Sequence, residues 1–303
     1  MRIAWYNILL AAFFCGAIFL SYSTADEKSV EEVDRDLPQV VRSVEITQTF
    51  NFAGERVPHE LPDVKERMER ELLVNSYRHS STIQYLKLMP RYFPLIENIL
   101  RQEGVPDDFK YLAVAESGLR MAVSPAGAKG LWQFLKGTAQ EQGLRVTSEV
   151  DERYHVEKST RAACRYLKQL HRQFGSWTLA AAAYNMGQTA LARDLKYQKE
   201  DSYYNLNLSR ETMRYIFRIV ALKEMHLNAQ KYGYYLEFSD FYTPMDQVHV
   251  ISVDKTVENL GDFAHKYGST YRELKTYNPW LLSHKLSNAS GKEYFIQLIP
   301  FIS

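Results

Sequence analysis

Between residues 90 and 228 apolar residues recur at three- and four-residue intervals, and no stretch alternates apolar and polar as a half-buried strand must. A chain patterned this way over such a length can build its principal core only from packed helices. Leu95, Ile96, Ile99 and Leu100 form one buried face, within a helical pattern that begins near Asp63 and that Gly104 stops. Ala163, Tyr166, Leu167, Leu170 and Phe174 form another, closed by Gly175. Residues 177–185 read as a short Ala-rich helix able to approach its neighbours closely, ended by Gly187. Ser209 is placed to cap a longer helix with Tyr215, Ile216, Ile219, Val220 and Leu222 on its inner side.

One helix in this series carries chemistry. Pro106 with Asp107 and Asp108 marks its start, where a proline needs no N–H partner and acids suit the positive end of the dipole. Phe109, Leu112 and Ala113 then occupy i, i+3 and i+4 of one apolar face, and i+7 on that stripe is Glu116. The helix aims a carboxylate at the core before Ser117 and Gly118 end it. Burying a carboxylate without a partner costs several kcal/mol, so such a group tends to stay protonated near neutral pH and can act as a proton donor. That suits glycosidic-bond cleavage, whose leaving oxygen must be protonated. From spacing alone a glutamate at a helix end is more often solvated or a cap acceptor. The segment 120–130, rich in Gly, Ala, Ser and Pro, should be a compact loop beside it.

The ends of the chain read differently. Arg2 precedes an apolar run over 8–20, shorter than the ~20 residues a membrane-spanning helix needs, and Ser23, Thr24 and Ala25 are acceptable to a signal peptidase. Residues 1–25 are therefore expected to be an export signal or an N-terminal anchor, the latter giving membrane association, and the protein is expected in the periplasm or cell envelope. Removing them takes away Cys15 and leaves Cys164 without an internal disulfide partner. Residues 26–62, with an acidic stretch and scattered prolines, read as a linker or arm. The formal charge of +1 argues against a nucleic-acid partner. His155, His171 and His226 lack metal-ligand spacing and no phosphate-cradling glycine loop is present, so no metal and no cofactor are expected. Asp151-Glu152-Arg153 and Lys158-Ser159-Thr160 read as helix entry and surface pairing.

After a tyrosine-rich segment the pattern changes. Val248, Val250 and Val253 mark a strand, 257–267 and 270–277 two helices, and 294–299 a second strand, a βααβ unit expected to form a separate domain over 245–303.

Four blocks now stand in order: Glu116-Ser117-Gly118; Gly130-Leu131-Trp132-Gln133-Phe134; Ala182-Ala183-Tyr184-Asn185 with Gly187; and Glu211-Thr212 followed by Tyr215. The series resembles the lytic transglycosylase (SLT) domain, in particular the type found in membrane-bound murein transglycosylases D, over about residues 85–228. The resemblance implies a mainly α, lysozyme-like helical domain over 63–235 with a long groove for peptidoglycan glycan strands. It implies that Glu116 is the single catalytic acid/base, that Ser117 orients it or touches the sugar, and that Gln133 is a polar groove residue. Tyr184 and Tyr215 match phenols near the carboxylate, and Asn185 a substrate contact. The βααβ unit resembles a LysM peptidoglycan-binding module over 247–300, with Lys255-Thr256 near a usual Gly-Asp-Thr and with Leu274 and Asn278 fitting its second helix; its tail, 283–292, is irregular.

Glycosidases that use water normally carry two carboxylates. The four blocks offer only Glu211 besides Glu116, and a first-turn glutamate is simply explained by the helix dipole. A one-carboxylate site suits the reaction the resemblance implies: Glu116 protonates the glycosidic oxygen and then takes the proton of the muramic C6 hydroxyl, leaving a 1,6-anhydro end. Two alternatives remain at this point, hydrolysis by goose-type-lysozyme chemistry and a non-catalytic scaffold that only binds peptidoglycan.

Overall fold

The computed structural model of the protein describes residues 42–243 and 248–298. The segment read as an export signal or anchor, and the acidic part of the arm, lie outside the described residues. Chain order is β1 (Asn51–Phe52), β2 (Glu55–Arg56), α1 (Pro62–Tyr77), α2 (His79–Glu103), α3 (Lys110–Ser117), α4 (Lys136–Glu141), α5 (Val156–Phe174), α6 (Trp177–Met186), α7 (Gln188–Gln198) and α8 (Thr212–Leu227). Then come β3 (His249–Val253), α9 (Leu260–Lys266), α10 (Tyr271–Tyr277) and β4 (Tyr294–Leu298). The mainly α class and the βααβ order both follow the periodicity of the sequence.

The helical part is organised around α8, which packs on α1, α3 and α6, while α5 packs on α2 and α6. Tyr215, Ile216, Phe217, Ile219, Val220, Leu222 and Met225 are all buried, so α8 is apolar around most of its circumference, as a central helix must be. Ala180, Ala181, Ala182 and Ala183 are fully buried on α6 and let its backbone approach both neighbours. Gly104, Gly118 and Gly175 terminate α2, α3 and α5 in the left-handed conformation that glycine adopts without cost. The long helical pattern over 63–103 is two helices, because Arg78 leaves helical geometry (φ −89°, ψ 57°), and Thr82 Oγ1 donates across the break to the carbonyl of Asn75 at 2.6 Å.

The arm expected over 26–62 is corrected in its second half. Phe50, Phe52 and Val57 are buried in the helical core, and β1 and β2 form a hairpin whose two-residue turn places Ala53 (φ 53°) and Gly54 (φ 82°) in the left-handed region. Phe52 meets Phe109 edge to face at 5.0 Å, and Phe109 meets Trp177 at 5.3 Å. Glu55, on the hairpin, accepts from the backbone N–H of Trp177 at 2.6 Å and of Thr178 at 2.8 Å, so it satisfies the first-turn donors of α6 beside the Ser176 cap. Glu55→Ala leaves those donors unpaired and should cost about 1–2 kcal/mol. A lowered thermal midpoint, with a smaller loss for Glu55→Gln, is the expected result; an unchanged midpoint would show that the hairpin does not hold α6.

In the βααβ part β3 and β4 are antiparallel, with His249 opposite Leu298 and Val253 opposite Tyr294. Asn278 is buried and pairs with β4 like a strand residue, accepting from Gln297 N at 2.8 Å and donating to Gln297 O at 2.6 Å. This part does not stand free of the helices: residues Val44–Ser303 are one compact unit. Val150, from the loop before α5, lies in the second core with Trp280 and Leu281. Main-chain hydrogen bonds run from Asp151 N to Trp280 O at 2.9 Å and from Leu282 N to Glu149 O at 2.8 Å, fixing the module on the helical part.

Candidate active site

Burial of Phe109, Leu112 and Ala113 fixes the rotation of α3, and the helical period then carries Glu116 to the same side. Gly118 (φ 61°) stops the helix two residues later, which leaves the carboxylate on the final turn, where it stays partly accessible. Tyr215 Oη donates a hydrogen bond to Glu116 Oε1. The surroundings exclude most water although the side chain is still partly accessible, and this desolvation pushes the carboxyl up to about 7. The Tyr215 hydrogen bond and the positive charge of Arg218 act in the opposite direction, and the negative charge of Glu211 adds to the rise. Glu116 is therefore poised to hold a proton near neutrality and to exist as a carboxylate once it has given it up.

Each phenol is held on a different element. Tyr215 is fully buried on α8, and its own ionisation is suppressed by burial and then by the nearby Glu116 charge. Tyr184, on α6, donates to the carbonyl of Trp132 at 2.7 Å and also feels Glu116, since burial first and that charge second raise its pKa well above the phenol range. Asn185 Oδ1 accepts from Thr212 Oγ1 at 2.9 Å, tying the end of α6 to the start of α8. Ser117 Oγ is directed to the carbonyls of Ala113 (3.0 Å) and Leu131 (2.9 Å), so it joins the end of α3 to the loop that follows. Gln133 (φ 49°) donates to the carbonyls of Ala122 (3.1 Å) and Gly130 (2.8 Å) and clips that loop shut. Glu116, Tyr184 and Tyr215 thus form the electrostatic centre, while Ser117, Gln133 and Asn185 hold the backbone around it.

The loop over 120–134 is braced from beneath. Arg153 is buried with Asp151, bonded to it at 2.7 and 2.9 Å, and also donates to the carbonyls of Gly127 and Phe134, both at 3.1 Å. Trp132 is fully buried and donates through Nε1 to Thr160 Oγ1 at 2.9 Å. The surface reading of Asp151, Glu152, Arg153, Ser159 and Thr160 is corrected accordingly, since all five are buried, while Asp151 does cap the short turn at Glu152–Tyr154 as the helix-entry reading expected.

Two further charged residues act on Glu116, and one of them, Arg218, lies outside the four motif blocks. Arg218 stands one helical turn after Tyr215 on α8, a spacing visible in the sequence once Tyr215 is placed. Glu211, the N-cap residue of α8, is exposed and makes no cap hydrogen bond through its side chain, and its charge also acts on Glu116.

With this geometry in hand, comparison with known proteins is informative. The transglycosylase SLT domain family matches residues 94–207, and the soluble lytic transglycosylase C-terminal LysM-like domain matches residues 249–300. Tyr215 and Arg218 fall beyond the end of the first match. Membrane-bound lytic murein transglycosylase D from Escherichia coli strain K12 is 29% identical over 252 residues, covering 80% of this chain and 54% of that protein. The protein of the same name from Escherichia coli O6:H1 gives the same figures, so the chain spans about half the length of these curated relatives. An X-ray structure of an inactive mutant of the lytic transglycosylase Slt from Pseudomonas aeruginosa aligns with a TM-score of 0.39 and 18% identity, over 61% of this chain and 36% of that one. The chain carries an SLT transglycosylase domain followed by a LysM-like domain.

Proposed function

We propose that this protein is a peptidoglycan lytic transglycosylase that cleaves the bond between N-acetylmuramic acid and N-acetylglucosamine with one carboxylate and no water. The observation that carries this is Glu116 itself, a carboxyl raised to about 7 by burial, bonded to a buried phenol, at the end of an SLT-family helix. In the proposed reaction neutral Glu116 gives its proton to the glycosidic oxygen as the bond to muramic C1 breaks, with the substrate's own acetamido group assisting at C1. The muramic C6 oxygen then bonds to C1 and its proton returns to Glu116. Nothing is consumed but the strand, and the product is a 1,6-anhydro end. Tyr215 positions the carboxylate and stabilises its charged form between the two proton transfers. Ser117, Gln133, Tyr184 and Asn185 shape the cleft floor that the sugar meets.

Among the described residues no second carboxylate shares a hydrogen bond with Glu116, which favours this over hydrolysis. Among the described residues Tyr215 is the hydrogen-bond partner of Glu116, and the acid that influences it, Glu211, is solvent-exposed. Digestion of purified sacculi tests the reading: the released muropeptides should end in anhydromuramic acid, and release of ordinary reducing ends would overturn it.

The pH profile follows from the same group. Because the protonated carboxyl is the starting form, kcat/KM should fall as pH rises through about 7. The Tyr215 hydrogen bond lowers the Glu116 pKa, so Tyr215→Phe should move the alkaline limb to higher pH while lowering the maximal rate. A limb that stays in place would show that another group sets it.

The LysM-like module is proposed to bind the same glycan. Fixed to the helical part by main-chain hydrogen bonds, it would extend the binding surface rather than act on a flexible tether. The proposed site of action is the cell envelope; among the described residues no helix is long and apolar enough to cross a membrane.

A further inference from the structure

A cavity of about 210 Å³ opens beside the last turn of α3, and the proton transfers at Glu116 make no use of it. Its wall includes Ser117 and Gly118, the two residues that follow the carboxylate. Three arginines from three parts of the chain also line it: Arg78 at the break between α1 and α2, Arg120 from the loop after α3, and Arg218 from α8. Asn75 and Ser81 add polar groups, and no aspartate or glutamate is among the lining residues. Arg120 donates to the neutral amide oxygen of Gln84, and among the described residues none of the three arginines forms an ion pair with a carboxylate.

Three guanidinium groups around a cavity whose own lining holds no acid repel one another, and an anion entering it relieves that repulsion. Guanidinium presents a planar fork of donors that matches a carboxylate, and charge-assisted bonds of this kind are worth more than neutral ones. Arg218, one wall of the cavity, also acts on the Glu116 carboxyl, so whatever occupies the cavity is carried by the sugar at which the proton is delivered or by its neighbour. We propose that the cavity is a carboxylate-binding subsite that holds the acidic substituent of the muramic residue undergoing cleavage. The proposal rests on the transglycosylase reading above and deepens it. The shared chemistry has two sources: the lactyl carboxylate of a strand without peptides, or the carboxylates of an attached stem peptide.

Binding to the full chain carrying Glu116→Gln, which does not consume its ligand, separates the sources. Calorimetric titration would use three probes of equal sugar length: a neutral N-acetylglucosamine oligomer, a peptide-free muramic glycan and a peptide-bearing glycan. Adding Arg78→Ala and Arg120→Ala should weaken the acidic probe that uses the subsite about tenfold and leave the neutral oligomer unchanged, with partial recovery in the corresponding Lys variants. Loss confined to the peptide-bearing probe assigns the site to the stem peptide, and loss shared by both muramic probes assigns it to the lactyl group. Arg78 and Arg120 are both exposed, so a melting curve identical to that of the parent variant is expected. Equal weakening of neutral and acidic probes, or weakening of none, would overturn the subsite while leaving glycan binding intact. Failure of all three probes to bind, together with absence of anhydro ends from the unsubstituted protein, would overturn the function on which it rests.

Discussion

Glu116→Gln should lower the release of soluble muropeptides from sacculi by about 10³-fold, within the range that a positioned general acid contributes. The glutamine keeps the size of the side chain and can still accept from Tyr215, but it has no proton to give at any pH. Loss of rate should come without loss of fold. The carboxyl of Glu116 is raised in the folded state, so the stability that accompanies its neutral form is present at acid pH and is lost as pH rises through about 7. Glutamine does not ionise and escapes that loss. The variant should therefore melt at or above the temperature of the parent protein on the alkaline side, and the two should converge below the usual carboxylate value of 4.5. Inactivity accompanied by a lower melting point at alkaline pH would mean that Glu116 supports the fold rather than the chemistry.

Gly130→Ala should be among the most destabilising single methyl additions in the chain. Gly130 has φ +80°, and a Cβ there would lie 2.0 Å from the carbonyl oxygen of Arg153 and 2.8 Å from its carbon. Arg153 cannot yield readily, because its guanidinium is held by Asp151 and by the carbonyls of Gly127 and Phe134. Backbone overlap together with left-handed strain should cost about 3 kcal/mol or more, roughly 6–12 °C in thermal midpoint for a domain of this size. Activity should fall as well, since the loop supplies the Trp132 carbonyl that anchors Tyr184 and carries Gln133. Gly127→Ala is the matched control: its φ of +79° is nearly the same, but nothing lies within 4 Å of the added carbon, so only the conformational cost of about 1 kcal/mol remains. Similar losses for the two variants would show that the contact with Arg153 is not what demands glycine at 130.

Local rules gave one residue of the candidate site, Glu116, while Ser117, Gln133, Tyr184, Asn185 and Tyr215 were named only through the family resemblance. Helical periodicity alone directs Glu116 toward the core, and the glycines at 118 and 175 mark helix ends where the left-handed conformation is found. The βααβ order follows from a change of period. Features that depend on distant contacts were not legible. The hairpin at 51–56 has strands of two residues each and an Ala-Gly turn, too short to show alternation and without the Asn-Gly or Asp-Gly signal of such turns. Asp151 and Arg153 look like solvent-facing charges, and only the carbonyls of Gly127 and Phe134, brought by a separate loop, make their burial tolerable. Docking of the LysM-like module through Val150 and Leu281 joins residues far apart in sequence that no period connects. Arg218 is intermediate: its spacing from Tyr215 was readable, but its relation to Glu116 depends on how α3 and α8 pack.

In the proposed reaction one largely desolvated carboxyl moves a proton out and back while no water joins the product. Digesting sacculi in water enriched in heavy oxygen tests it directly. Muramic ends that carry no label and lack the mass of one water are the expected result. Incorporation of one heavy oxygen at muramic C1 in the primary product would contradict it and would make Glu116 the acid of a hydrolase.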